Sequence, residues 1–175
     1  QGISKPGIGV LWGVGVAAEV AFMWFLEPLR RRWGPELFLV LGAGAAVLRW
    51  TAYAFEPPLW ALFLLQMLHA LTFAASFLAS LRLIEKLAPP SAASPAQAIN
   101  SALSSGFTLG VATLASGPLF DAFGAFGYLA TAFMALLGLV GAILLTRRAR
   151  SLSSDRLSGG LNGRAEQRSR SRAAT

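Results

Sequence analysis

Five apolar stretches, residues 8–26, 37–55, 59–84, 98–118 and 125–146, take up most of this 175-residue chain. A helix needs about 20 mostly apolar residues to cross the roughly 30 Å hydrocarbon core, because each residue advances about 1.5 Å. All five stretches meet that length. Hydrophobic residues make up 55% of the chain and charged ones 13%, against roughly one-quarter charged in a soluble domain. The pattern predicts an all-α fold: a polytopic membrane helix bundle with five transmembrane helices.

The gaps between the stretches carry charge alternately. Arg30, Arg31 and Arg32 lie in the first gap, Arg82 and Lys86 flank the third, and Arg147, Arg148 and Arg150 follow the last stretch. The second gap reads Glu56-Pro57-Pro58 and the fourth runs through Asp121, both without Lys or Arg. By the positive-inside rule the basic gaps and the C-terminus are expected in the cytoplasm. The chain then begins outside. It opens on Gln1 rather than Met, and Gln1 to Gly7 has neither the charged front nor the cleavage site of a signal peptide. An odd number of spans with such a start is expected of the C-terminal part of a larger protein; a complete five-span protein is the alternative.

Residues 1–146 are therefore expected to form a membrane domain and 147–175 a tail. The tail holds eight Arg against Asp155 and Glu166, six of the chain's seven net positive charges. Rich in Ser, Gly and Arg, it cannot bury a core and is expected to be a disordered basic cytoplasmic segment. Its Arg168-Ser169-Arg170-Ser171-Arg172 run has no aromatic residues on which bases could stack. Contact with anionic lipid is the expectation, not nucleic acid. With no cysteine and a single His69, neither a disulfide nor a Cys- or multi-His metal site is available, and no cofactor is expected.

Small residues recur at a spacing of four: Gly9, Gly13, Ala17 and Ala21 on the first helix, Ala102, Gly106 and Gly110 on the fourth, Gly138 and Ala142 on the fifth. Such stripes predict close helix packing. The candidate chemistry lies in ionisable groups inside the spans, which cost about 2.5–3.5 kcal/mol each at a helix centre and so face a partner or a water-filled cavity. These are Glu19, Arg49 and His69. Counted from the outer ends, Glu19 and His69 fall at similar depth, with Arg49 further out. A Glu–Arg pair with His nearby can bind an organic anion, carry a proton, or both. The bland alternative is a static Glu19–Arg49 bridge, with His69 bonded to backbone. Gln66, His69, Thr72, Phe73 and Ser76 share one side of the third helix at spacings of three and four. Asn100, Ser101, Ser104, Ser105 and Thr108 line the fourth. For any single hydroxyl, a bond to its own backbone is the simpler reading. No nucleophile–base pair or metal cluster suggests an enzyme.

Several local sequences then carry a resemblance. Residues 11–20 (LWGVGVAAEV), Leu48-Arg49-Trp50 and residues 65–73 (LQMLHALTF) resemble the C-terminal half of the phenylpropionate-permease branch of the major facilitator superfamily. Gln97-Ala98, Ser116-Gly117-Pro118-Leu119 and Arg31-Arg32-Trp33-Gly34 fit the same branch. The resemblance covers residues 1 to about 146 and implies that the five spans correspond to helices eight to twelve of a twelve-helix transporter. The rest of that transporter, including its N-terminal half, would be a partner. Where the branch often carries a second His after Thr-Phe, this chain has Phe77. The resemblance implies part of a secondary active transporter that rocks about a midplane site. Its expected cargo is a small organic solute, an aromatic or other organic acid, moved together with a proton across a bacterial-type inner (plasma) membrane. Glu19, Arg49, His69, Gln66, Thr72 and Phe73 are the candidate solute or proton pathway. The alternative is a non-transporting truncated membrane fragment or helical interaction module.

Overall fold

The computed structural model describes residues 3–25, 28 and 32–148. Arg30, Arg31 and the basic tail from residue 149 onward lie outside the described residues. Among the described residues the secondary structure is helical throughout, with no strand. Four helical runs are long and apolar enough to cross a membrane: Lys5–Phe25, Pro35–Ala54, Leu59–Leu87 and Ala93–Arg148. With no water in hydrocarbon to bond free backbone groups, helices pair those groups within each segment. This is the architecture of a multi-pass membrane protein.

Helix α1 spans Lys5–Phe25 and α2 spans Pro35–Ala54. Gly34, at φ +77°, turns the chain into α2, and Pro35 fits its first turn because no intrahelical donor is needed there. Glu56 sits at φ +46° after α2, and Pro57-Pro58 separates it from α3, Leu59–Met67. The third run does not stay α-helical. Leu68 is a turn, residues 69–70 are helical, Leu71–Ala75 form a π segment, and α4 continues over Ser76–Leu87. The fourth run comprises α5 (Ala93–Ser101), a second π segment (Ala102–Thr108) and α6 (Leu109–Phe123). Helix α6 passes through Pro118 before Gly124, at φ +57°, opens the 3₁₀ turn Gly124–Gly127. Residues 128–142 complete the first of two compact units as helix; in the second unit, which begins at Ile143, residues 143–148 are helical.

Phe22, Phe38 and the alanines 70, 74, 75 and 79 form the core cluster of the first unit. Phe22 meets Phe38 edge-on at 6.1 Å. Small alanines let α2 lie close to the first π segment, and Gly42 takes that closeness furthest. A Cβ there would fall 2.8 Å from the Leu71 carbonyl and closer still to Ser76 Oγ. Among the described residues, a Cβ on the stripe glycines Gly9, Gly13, Gly106, Gly110 or Gly138 would meet nothing within 4 Å. Lys86 at the end of α4 reaches Glu36 at the start of α2, 2.5 Å apart. At the other end of α2, Trp50 stacks on Tyr128 at 5.8 Å and Phe55 meets Phe126 edge-on.

Candidate functional site

Three elements each bring one ionisable group to the same place. Glu19 comes from α1, Arg49 from α2, and His69 from just past the break that follows α3. The break follows from the hydrogen-bond ladder, in which the amides of Leu71 and Thr72 both donate to the Leu68 carbonyl at 3.1 Å. These are 3₁₀- and α-type bonds; the π segment Leu71–Ala75 begins directly after them, and single-turn π segments are frequent at functional sites. Gly15 of α1 faces the same spot, where a Cβ would lie 3.5 Å from Gln66 Oε1 and 3.6 Å from the His69 ring.

The His69 ring stands between the other two charges. Its Nε2 is 2.9 Å from Glu19 Oε1 and its Nδ1 is 2.8 Å from Arg49 Nη1. Arg49 Nη2 donates to Gln66 Oε1 at 3.0 Å. The static bridge weighed as an alternative placed Glu19 directly on Arg49; here the imidazole separates them, and its two nitrogens serve side chains instead of backbone. Proton positions follow from the partners. A guanidinium has five donors and no acceptor, so His69 Nδ1 must accept. The ring then carries its proton on Nε2, directed at Glu19 Oε1.

The remaining candidates join this chain of contacts. Thr72 donates its hydroxyl to the His69 carbonyl at 3.0 Å, with its oxygen 3.3 Å from Nδ1. Phe73 stacks on the His69 ring at 5.8 Å, and Phe77 stacks on Phe73 at 6.2 Å. Both phenylalanines are about half exposed, at 50% and 46%. Ser80, Ser104, Thr113 and Ser116 return their hydroxyls to backbone carbonyls three or four residues earlier, the simpler reading of such residues.

Sequence reasoning missed an aromatic cavity that opens beside this cluster. It has a volume of about 380 Å³, and its walls include Arg49, Gln66, Trp50, Tyr53, Tyr128 and Phe120. Trp50, Tyr53 and Tyr128 touch pairwise with ring centroids 5.6–5.8 Å apart. The Arg49 guanidinium carbon lies 5.1 Å from the Trp50 ring centre and 5.4 Å from that of Tyr53. Arg49 itself is 7% exposed, and its buried Nε has no hydrogen-bond partner among the described residues. One signal was available: Trp50 adjoins Arg49 and Tyr53 lies one turn further on. Tyr128, 75 residues further along the chain than Tyr53, joins them only through tertiary packing.

Residues 1–130 match the profile of the MFS_1 like family. Among curated proteins, the maltose permease of Geobacillus stearothermophilus is 29% identical over 157 residues, 89% of this chain and 40% of that protein. The uncharacterized transporter YwbF of Bacillus subtilis (strain 168) is 28% identical over 121 residues, 69% of this chain and 30% of its own length. The probable 3-phenylpropionic acid transporter of Escherichia coli (strain K12) is 32% identical over 123 residues, 70% of this chain and 32% of that protein. The chain thus spans between 30% and 40% of the length of these relatives. No solved structure matches it.

Proposed function

The chain belongs to the MFS_1 like family, within the major facilitator superfamily, and we propose that it is the C-terminal part of a proton-coupled transporter of small organic acids. The observation that carries this reading is the hydrogen-bonded series Glu19–His69–Arg49–Gln66 set against an aromatic-walled cavity. Ionisable side chains inside apolar spans are expensive and mark solute or proton pathways. Here one cation and a proton-exchanging carboxylate–imidazole pair lie within hydrogen-bond reach of one another. By their names, one relative handles maltose and another 3-phenylpropionic acid. Arg49 beside aromatic rings favours the acid for this chain.

In this reading the chain makes five crossings, equivalent to helices eight to twelve of a twelve-helix transporter. The run Ala93–Arg148 has 56 residues, about 84 Å if straight, which is more than twice a hydrocarbon core. The positive φ of Gly124 and the 3₁₀ turn after it supply the reversal between two crossings. The basic gaps face the cytoplasm and the Glu56 end faces outward, by the positive-inside rule. An N-terminal half completes the solute site. The exposed row Ser101, Ser104, Ser105 and Thr108 is the wall that such a half would cover.

The test is Glu19→Gln in the full-length protein that carries this chain. Gln keeps the shape and can still accept from His69, so solute exchange between equal concentrations should survive while gradient-driven accumulation is lost. Suppose instead that expression collapses and Arg49→Gln added on top restores both expression and accumulation. The cluster would then be a structural bridge and the coupling role would be wrong.

A further inference from the structure

Arg49, Tyr53 and Glu56 follow one another at spacings of four and three, so they share one side of α2 and of the turn that ends it. All three line the aromatic cavity. The cavity thus carries a cation and a carboxylate two helical turns apart, roughly 10 Å along the helix axis. Trp50, Tyr53 and Tyr128, in mutual contact, supply the aromatic part of the same wall.

Glu56 holds its place against its backbone preference. At φ +46° it adopts a left-handed conformation that helix ends usually leave to glycine, and it precedes Pro57, which favours an extended backbone. Its amide donates to the Tyr53 carbonyl at 3.2 Å, turning the chain back over the end of α2. Among the described residues its carboxylate pairs with no cation. Strained positions of this kind cluster at ligand clamps. Arg49, deeper in, is buried, and its Nε finds no acceptor among the described residues.

The two ends of this wall ask for opposite charges. The guanidinium fork of Arg49 favours a carboxylate, whereas Glu56 and the negative faces of the rings favour a cation. A simple organic anion satisfies the first and is repelled by the second. We propose that the cavity takes an ω-amino acid, a molecule with a carboxylate at one end, an ammonium at the other, and an apolar chain or ring between them. The carboxylate meets Arg49, and the ammonium meets Glu56 and an aromatic face. Such a molecule brings no net charge into an apolar span, where net charge is costly. A volume of about 380 Å³ suits a ligand of that size. In an α-amino acid a single carbon separates the two charged groups, too little to reach partners two turns apart. This rests on the reading of the protein as an organic-acid transporter, and narrows the solute.

The experiment is calorimetric titration of the purified full-length protein at neutral pH with two matched pairs of probes. One pair is hexanoate and 6-aminohexanoate; the other is 3-phenylpropanoate and its 4-aminomethyl derivative. Each amino form should bind about tenfold more tightly than its parent, and phenylalanine should show no such gain over 3-phenylpropanoate. Glu56 is exposed, so Glu56→Gln should fold, and it should shrink the advantage to that of the rings alone, roughly threefold. Amino forms that bind no better than their parents overturn the assignment, as does an advantage untouched by Glu56→Gln. Should the variant not be recovered, the wild-type ratios and the phenylalanine comparison decide the matter. Binding of none of these carboxylates overturns the organic-acid reading itself, and the assignment with it.

Discussion

Arg49 is buried and held through two side-chain contacts, one of them to Gln66. Of the guanidinium's donors, Nη2 goes to Gln66, Nη1 to His69, and Nε has no partner among the described residues. Removing the Gln66 acceptor would strand a second buried donor, at a cost of about 1–3 kcal/mol. Gln66→Leu should therefore lower the thermal unfolding temperature of the protein, whereas Gln66→Glu, which keeps an acceptor in place, should not. Equal loss in both variants would mean that side-chain shape, not the bond to Arg49, matters at this position. At this scale much was legible. Glu19, Arg49 and His69 stand out because a charge in an apolar run needs a reason, and Gln66 follows from its spacing of three to His69. That His69 would sit between the other two was not legible. Depth along each helix can be counted from sequence, but rotation about the helix axis and the register between helices cannot.

At the scale of elements, the third helical run is built around its irregularity. The break at Leu68 and the π segment Leu71–Ala75 bring the Leu71 carbonyl against α2, where only Gly42 leaves room. Gly42→Ala puts a methyl 2.8 Å from that carbonyl, so backbone must move, an overpacking cost of about 1–3 kcal/mol. Because α2 also carries Arg49, the shift should weaken the contact with His69 and, in the proposed transporter, impair transport as well as stability. Gly44→Ala on the same helix is the control. A Cβ there meets nothing within 4 Å among the described residues, and alanine's better helix propensity makes it neutral or mildly stabilising. Comparing unfolding midpoints of the two variants checks this; similar midpoints would show that the close approach carries no energetic weight. Hydropathy made the long helices legible. It could not show the π segments, since one extra residue in a uniformly apolar run leaves no mark on the pattern. Nor could it choose among glycines. The repeating stripes drew attention, yet Gly42, which belongs to none of them, makes the close contact.

On the scale of the whole molecule, the two ends differ in chemistry in the way a membrane orientation requires. Glu36 and Lys86 pair at one end of α2, while Trp50, Tyr53 and Tyr128 cluster near the other, beside the cavity over Arg49. The pairing of the start of α2 with the end of α4 agrees with antiparallel neighbours and with the alternation of charge along the sequence. The positive-inside rule assigns the Lys86 end to the cytoplasm, and the chain's lack of cysteine makes the assignment directly measurable. Single cysteines introduced at Pro58 and Ala122 should react with a membrane-impermeant thiol reagent on intact cells. Cysteines at Ser91 and Gly160 should react only after the cells are opened. The outcome bears on mechanism as well as topology, because the cavity lies towards the Glu56 end. In the expected orientation, and under the proposed symport, that cavity would receive solute and proton from outside, and an inward proton gradient would drive accumulation. Labelling at Ser91 with protection at Ala122 would turn the cavity to the cytoplasm. Under the proposed symport the cavity would then load solute from within, and an inward proton gradient would oppose its export.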